Sequence, residues 1–261
     1  MTEIYNYKNC QIHYSATGRG RALVFLHGFL EQSSMWNEIS KSLKTKYRIV
    51  CIDLLGHGAS ENLGYIHSME EQAEMVKSLI TSLGLRRIVI IGHSMGGYIG
   101  LSFAKMYPKN LRGLILMNST AYADTPEKIV NRERAIKAVK QNRNLFVKIA
   151  IPLLFSENNR TVFADKIKVL VEEAKNMSPQ GIVAALEGMK IRRDRTDIYN
   201  NESLPIAMVL GKQDPVLGVK SLQEQIRNTH VQVFELQDGH MSHIENQIEL
   251  LQSFRKFLGS L

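Results

Sequence analysis

The chain has 261 residues, 44% of them hydrophobic and 22% charged. These values exclude an intrinsically disordered chain, and the length suffices to bury a sizeable core without metal or disulfide support. The net charge of +8 comes from scattered lysines and arginines with no dense basic run, so it predicts an ordinary basic surface and no nucleic-acid partner.

The N-terminal stretch MTEIYNYKNC lacks a charged-then-apolar signal pattern. No apolar run approaches the ~18 residues of a membrane span, so a cytoplasmic protein with no membrane partner is expected. Cys10 and Cys51 form neither a disulfide framework nor a zinc spacing. Cys51, inside an apolar run, is expected to be a small core residue.

In chain order, Ile4 to Tyr14 predicts one or two antiparallel edge strands. Buried strands are predicted at Ala22–Leu26, Tyr47–Ile52, Arg87–Ile91, Leu114–Met117, Ile206–Leu210 and Val231–Leu236. Near-continuous apolar runs of this length suit a parallel sheet covered on both faces. Helical spacing falls between them, at Met69–Leu83 (ended by Gly84), Tyr98–Met106, Val219–Arg227 and Ile244–Leu258. This alternation predicts a mostly parallel, doubly wound α/β sheet of about eight strands. Residues 121–203 break the alternation. They show helical periodicity at Glu127–Lys140, Leu145–Leu154, Ala164–Ala174 and Gly181–Met189, and no strand. So long an insertion between two core strands predicts a helical lid, since a single crossover needs one helix. The expected division is a core of 1–120 and 204–261 and a lid of 121–203.

The strongest chemical signal is Gly92-His93-Ser94-Met95-Gly96-Gly97, which follows a strand and opens a helix. That is the context of a nucleophile elbow. The turn strains the serine backbone and brings strand and helix together, which explains the glycines. A serine hydroxyl needs a base, and the base needs an orienting acid. Asp214, in Gly211-Lys212-Gln213-Asp214-Pro215, and His240, in Asp238-Gly239-His240, each follow a strand, where sites collect in open α/β sheets. They are the expected acid and base. The rivals are Asp238, awkwardly close to His240, and His243, which is expected to begin the last helix and face the cap or solvent. Backbone amides of Phe29 and Met95 are the expected oxyanion donors. His27 is expected to hold its loop, and Asp53, His57 and Ser60 to form a structural turn.

The motifs HGFLEQSSMW (His27 to Trp36), DLLGHGAS, GHSMGG, GKQDPV and DGHMSHIE (Asp238 to Glu245) together resemble the α/β-hydrolase superfamily over nearly the whole chain. The resemblance implies nucleophile Ser94, acid Asp214, base His240 and oxyanion amides at Phe29 and Met95, with no metal or organic cofactor. The lid resembles those of small esterases and 3-oxoadipate enol-lactonase-like proteins. The expected activity is hydrolysis of a small carboxylic ester or lactone through an acyl-enzyme. C–C bond hydrolases, thioesterases and a lyase share this core, and some members act as small-molecule receptors with a retained triad. Serine at the elbow argues against haloalkane dehalogenases and epoxide hydrolases, which use Asp there.

Two readings of the lid arginines stand. Arg192, Arg193 and Arg195 either anchor a substrate carboxylate or form a solvated edge paired with Asp194 and Asp197. Phe146, Phe155, Phe163 and Met177 line an apolar cavity on one reading and pack ordinarily on the other.

Overall fold

A computed structural model describes residues 2–261. The chain opens with β1 (Thr2–Tyr7) and β2 (Cys10–Thr17), an antiparallel hairpin. Its two-residue turn holds Lys8 and Asn9 at φ 49° and 67°, the mirror-image turn that suits the right-handed twist of the strands. The remaining strands are β3 (Arg21–Leu26), β4 (Tyr47–Ile52), β5 (Ile88–His93), β6 (Leu111–Met117), β7 (Ile206–Gly211) and β8 (Gln232–Leu236). They make one eight-stranded sheet of order β1-β2-β4-β3-β5-β6-β7-β8. β2 meets β4 antiparallel, and every pair from β4 onward is parallel.

Side chains alternate between the two faces of each strand, and both faces are covered. Val24, Ile90, Leu114 and Met208 pack under α2 (Met69–Ser82) and α3 (Met95–Met106), with α8 (Val219–Gln225) beside them. Leu23, Phe25, Ile91 and Val209 pack against Trp36, α1 (Asn37–Leu43) and α10 (Gln247–Gly259). Helix α1 is absent from the sequence reading; it has only two buried apolar residues, Ile39 and Leu43, too few for periodicity to register. The helix expected over Ile244–Leu258 is two pieces, α9 (Ser242–Glu245) and α10, because Asn246 leaves helical geometry at φ −135°, ψ 42°.

Between β6 and β7 lie α4 (Pro126–Ala150), α5 (Asn159–Val162), α6 (Ala164–Lys175) and α7 (Pro179–Lys190). Thr125 and Ser178 cap α4 and α7 by accepting from the amides of Lys128 and Gly181, and Pro126 and Pro179 follow at the first helical position. Asn142, at φ −156° and ψ 89°, interrupts α4. Its Oδ1 caps the second part by accepting from the Leu145 amide at 2.9 Å, so the two helical stretches expected there adjoin across a break. The insertion rests on the loop after β4: the His67 amide donates to Ala184 O at 2.9 Å and Asn62 Nδ2 to Ser178 Oγ at 2.9 Å. No helix among the described residues is long and apolar enough to cross a membrane.

Candidate active site

Ser94 lies between β5 and α3 with φ 49° and ψ −111°. A non-glycine residue there costs of order 1–3 kcal/mol, which the surrounding packing holds. The neighbouring glycines explain how. A Cβ on Gly92 would collide with the backbone of Gly96, and one on Gly96 would collide with the carbonyls of Leu26 and His27. The elbow therefore closes only without side chains at both positions, and it seats α3 against the end of β3. Ser119 Oγ donates to the Ser94 carbonyl at 2.8 Å and fixes the turn from β6.

Asp214 and His240 meet. His240 Nδ1 is 2.8 Å from Asp214 Oδ2. Asp214 Oδ1 accepts from the amides of Val216 at 2.8 Å and Leu217 at 2.9 Å, and Oδ2 also accepts from Asn118 Nδ2 at 3.0 Å. Burial pushes the Asp214 carboxyl up, but His240 and these donors outweigh it and hold the group below its ordinary value. Asp238, the rival acid, is instead bound to Asn246 Nδ2 at 2.8 Å. Ser94 and His240 open onto one cavity of about 120 Å3 whose lining includes Phe29, Tyr98, Leu154 and Met189. Among the described residues, the amides of Phe29 and Met95 donate to no protein acceptor. Met95 begins α3, where an unpaired N–H is expected.

A family model described as alpha/beta hydrolase fold matches residues 21–247. The chain belongs to the α/β-hydrolase family. An esterase from Thermogutta terrifontis, solved with malate bound, superposes with a TM-score of 0.92 at 27% identity, covering 100% of this chain and 98% of that one. The enol-lactonase of Burkholderia xenovorans shares the fold at a TM-score of 0.91 and 21% identity, over 98% of this chain and 100% of that one. A pimeloyl-[acyl-carrier protein] methyl ester esterase of Nitrosomonas europaea is 26% identical over 215 residues, 78% of this chain and 82% of that protein. The first curated relatives, uncharacterised mycobacterial proteins, align over 106 residues at 31% identity, and the match spans only 31% of their length.

In this α/β-hydrolase the arginines at the end of the insertion pair otherwise than with Asp194 and Asp197. Arg192 is buried. It donates to Asp124 and to the carbonyls of Tyr122 at 3.1 Å and Met189 at 3.1 Å, and stacks 4.2 Å over the Tyr98 ring. Arg195 binds Glu70 at 2.6 Å, Asp197 takes Lys105 at 2.7 Å, and Arg193 is exposed. The solvated edge with Asp194 and Asp197 is therefore replaced by a pair within the insertion, Arg192 with Asp124, and by ties to the core, Arg195 with Glu70 and Asp197 with Lys105. The arginine that lines the Ser94 cavity is Arg132, from α4, which is ion-paired with Asp124. Phe155 and Met177 lie in the core, Phe155 beside Phe163, and Phe146 and Phe163 pack against it. The cavity lining includes none of the four.

His243 also departs from expectation. It sits in α9 as expected, but its ring points inward, buried against Trp36 and His93, with Nε2 3.9 Å from Glu31 Oε1. Burial pushes its pKa down to about 4. Glu31, His93 and His243 bring donor atoms within 4.8 Å of one another. Both nitrogens of His93 are already engaged, with Glu31 and with the His240 carbonyl, whereas Glu31 Oε1 and both ring nitrogens of His243 have no hydrogen-bond partner among the described residues. His27 holds its loop as expected, accepting on Nε2 from the Leu54 amide at 3.0 Å. Asp53 closes the turn after β4, accepting from the amides of Ser33 at 2.8 Å and Ala59 at 3.0 Å. Burial raises the thiol of Cys51 to about 11.

Sequence reasoning missed Asn118, Glu31 and Glu245. Asn118 was accessible in principle, since it directly follows β6 beside β7. Glu245 Oε1 accepts from Ser156 N at 3.0 Å, Ser156 Oγ at 2.9 Å and Asn159 Nδ2 at 3.0 Å, and Oε2 from Met241 N at 3.0 Å. It fastens the insertion to the His240 loop, where the His240 amide also donates to Leu154 O at 3.1 Å. No local signal marks so distant a contact.

Proposed function

We propose that the chain is a serine hydrolase that cleaves small carboxylic esters or lactones through an acyl-enzyme on Ser94. The observation that carries this reading is the 2.8 Å contact of Asp214 with His240, with His240 and the strained Ser94 opening on one cavity. Asp214 fixes the ring so that Nε2 faces the serine as the base. Ser94 Oγ attacks the carbonyl carbon while its proton passes to His240. The carbonyl oxygen gathers negative charge opposite the Phe29 and Met95 amides. His240 then returns the proton to the leaving oxygen. Water, deprotonated by the same ring, releases the acid and frees Ser94.

Residues 121–203 serve as the lid over a core of 1–120 and 204–261. The lid supplies Arg132, Ala150, Leu154 and Met189 to the cavity. A cavity of about 120 Å3 is close to the ~150 Å3 that holds benzene, which favours short acyl groups. Arg132 favours an acidic substrate. Asp124 is shared between Arg132 and Arg192, so the cluster keeps one surplus positive charge. One Arg132 donor faces only the weak acceptor Met189 Sδ at 3.4 Å. The similar esterase was solved with malate, a dicarboxylate.

The test is hydrolysis of p-nitrophenyl acetate and butyrate by the wild type and Ser94→Ala. Turnover that vanishes in the variant is expected. Equal rates in both proteins would remove the serine-hydrolase reading.

A further inference from the structure

The proposed chemistry uses no atom of Glu31 or His93, yet both line the cavity beside Ser94 and His240 and both are buried. Glu31 Oε2 accepts from the Gly28 amide at 2.6 Å and lies 2.6 Å from His93 Nδ1. His93 Nε2 lies 2.9 Å from the carbonyl oxygen of His240. A carbonyl oxygen has no hydrogen to give, so Nε2 must carry the proton of that bond. Glu31 on the opposite nitrogen is what orients the ring for it, as a carboxylate commonly does for a histidine.

We infer that Glu31 and His93 are positioning residues that lock the loop bearing Phe29, the end of the strand that leads into Ser94 and the loop bearing His240 to one another. The inference rests on the serine-hydrolase reading, and it deepens that reading by adding a second carboxylate–imidazole couple behind the first. Glu31 ties down Gly28, one residue before the Phe29 amide. His93 ties down His240 through its backbone, while Asp214 ties down its ring. The two imidazoles lie 5.0 Å apart between centroids. A shift in either loop would move an oxyanion donor or the base relative to Ser94, whose own backbone the elbow fixes. Burial opposes charge on both members. The charge and hydrogen bond of His93, with His243 and His27, nonetheless hold the Glu31 carboxyl at about 2, and Glu31 raises His93 above its ordinary value. Each member of the couple thus favours the charged form of the other.

The deciding experiment compares Glu31→Ala with Glu31→Gln. Alanine deletes both contacts. Glutamine still accepts from Gly28 and still offers a partner to His93 Nδ1. Glu31→Ala is expected to lower kcat roughly 10- to 100-fold, the scale of a small misplacement of reacting groups, with KM little changed, and Glu31→Gln to recover most of it. Wild-type kcat in Glu31→Ala at a lowered Tm would overturn the inference, leaving Glu31 a purely structural residue. Equal losses in both variants would also overturn it, because the hydrogen bonds would then not be the cause. A third readout depends on neither folding of a variant nor esterase turnover: nitrogen NMR of the wild type should find His93 Nε2 protonated. An unprotonated Nε2 would refute the couple while leaving the Ser94 reading intact.

Discussion

Asn118 reaches Asp214 from the neighbouring strand, donating from Nδ2 to Oδ2 at 3.0 Å, and the same nitrogen donates to the Gly239 carbonyl at 3.1 Å. Its Oδ1 accepts from Ser242 Oγ at 2.7 Å. One amide at the end of β6 thus spans Asp214 and the residue before His240. Asn118 itself sits at φ 46°, a conformation Asn tolerates better than most residues. Asn118→Ala should lower kcat about 10- to 100-fold with a smaller effect on KM, since Asp214 loses a partner and the His240 loop a tether. Steady-state kinetics on a short-chain ester checks this; a rise in KM at constant kcat would assign Asn118 to substrate binding instead.

Arg132→Gln should raise KM for an ester carrying a carboxylate by about 10-fold or more, the worth of a hydrogen bond to a charged group, and leave a neutral ester of equal size nearly unaffected. Paired assays on the two substrates decide it. The same factor for both would remove the acid-anchoring role of Arg132. Arg192→Gln should instead act mainly on stability, because its guanidinium is buried among protein acceptors.

Acid should destabilise the fold well before the carboxylates titrate. Burial lowers His57 to about 3, His67 to about 4 and His243 to about 4, against about 6.5 in an unfolded chain. Between those values the unfolded state binds more protons, so stability rises with pH and falls on acidification from about 6.5 towards 4. Each histidine contributes up to about 1.4 kcal/mol per pH unit in that window. Thermal melts from pH 8 to 4 should show the fall in Tm, and His57→Asn should flatten it. A Tm independent of pH over this range would contradict neutral burial.

Two glycines should respond oppositely to alanine. A Cβ on Gly188 in α7 would run into the His67 carbonyl and the backbone behind it, and backbone cannot yield as a flexible side chain can. Gly188→Ala should cost about 1–3 kcal/mol and lower Tm. Gly259, at the end of α10, meets nothing within 4 Å. Gly259→Ala should be neutral or stabilising by up to about 1 kcal/mol through helix propensity.

Most of the sheet was legible because parallel strands covered on both faces read as unbroken apolar runs; all six strands expected to be buried fall within three residues of their expected bounds, but β8, at the sheet edge, exposes Val233 and Glu235 and buries only Leu236. That Ser94, Asp214 and His240 gather at one end of the sheet was legible because each follows such a run, and chain order in this fold is informative. The partners of those residues were not. Glu31 and His93 are 62 positions apart and Asn118 and Asp214 are 96 apart, so only the strand order brings them together. Arg192 illustrates the same limit: three nearby charges suggested local pairing, and Asp124, 68 positions away, took it instead. His243, three residues beyond His240, is expected from its place in the helix to face the cap or solvent, while the inward face of α9 is set by Trp36 and Glu31.

The contacts of Glu245 also bear on how such a protein can be rebuilt. Grafting a different segment in place of 121–203 transplants more than a roof. The incoming segment would have to bring its own donors to replace Ser156 and Asn159, or leave a carboxylate stranded beside the His240 loop. For such a swap the acceptor Glu245 and the donors Ser156 and Asn159 have to be exchanged as one unit, although nearly ninety positions separate them. Chimaeras that exchange all three together should retain turnover, and those that exchange the segment alone should lose it.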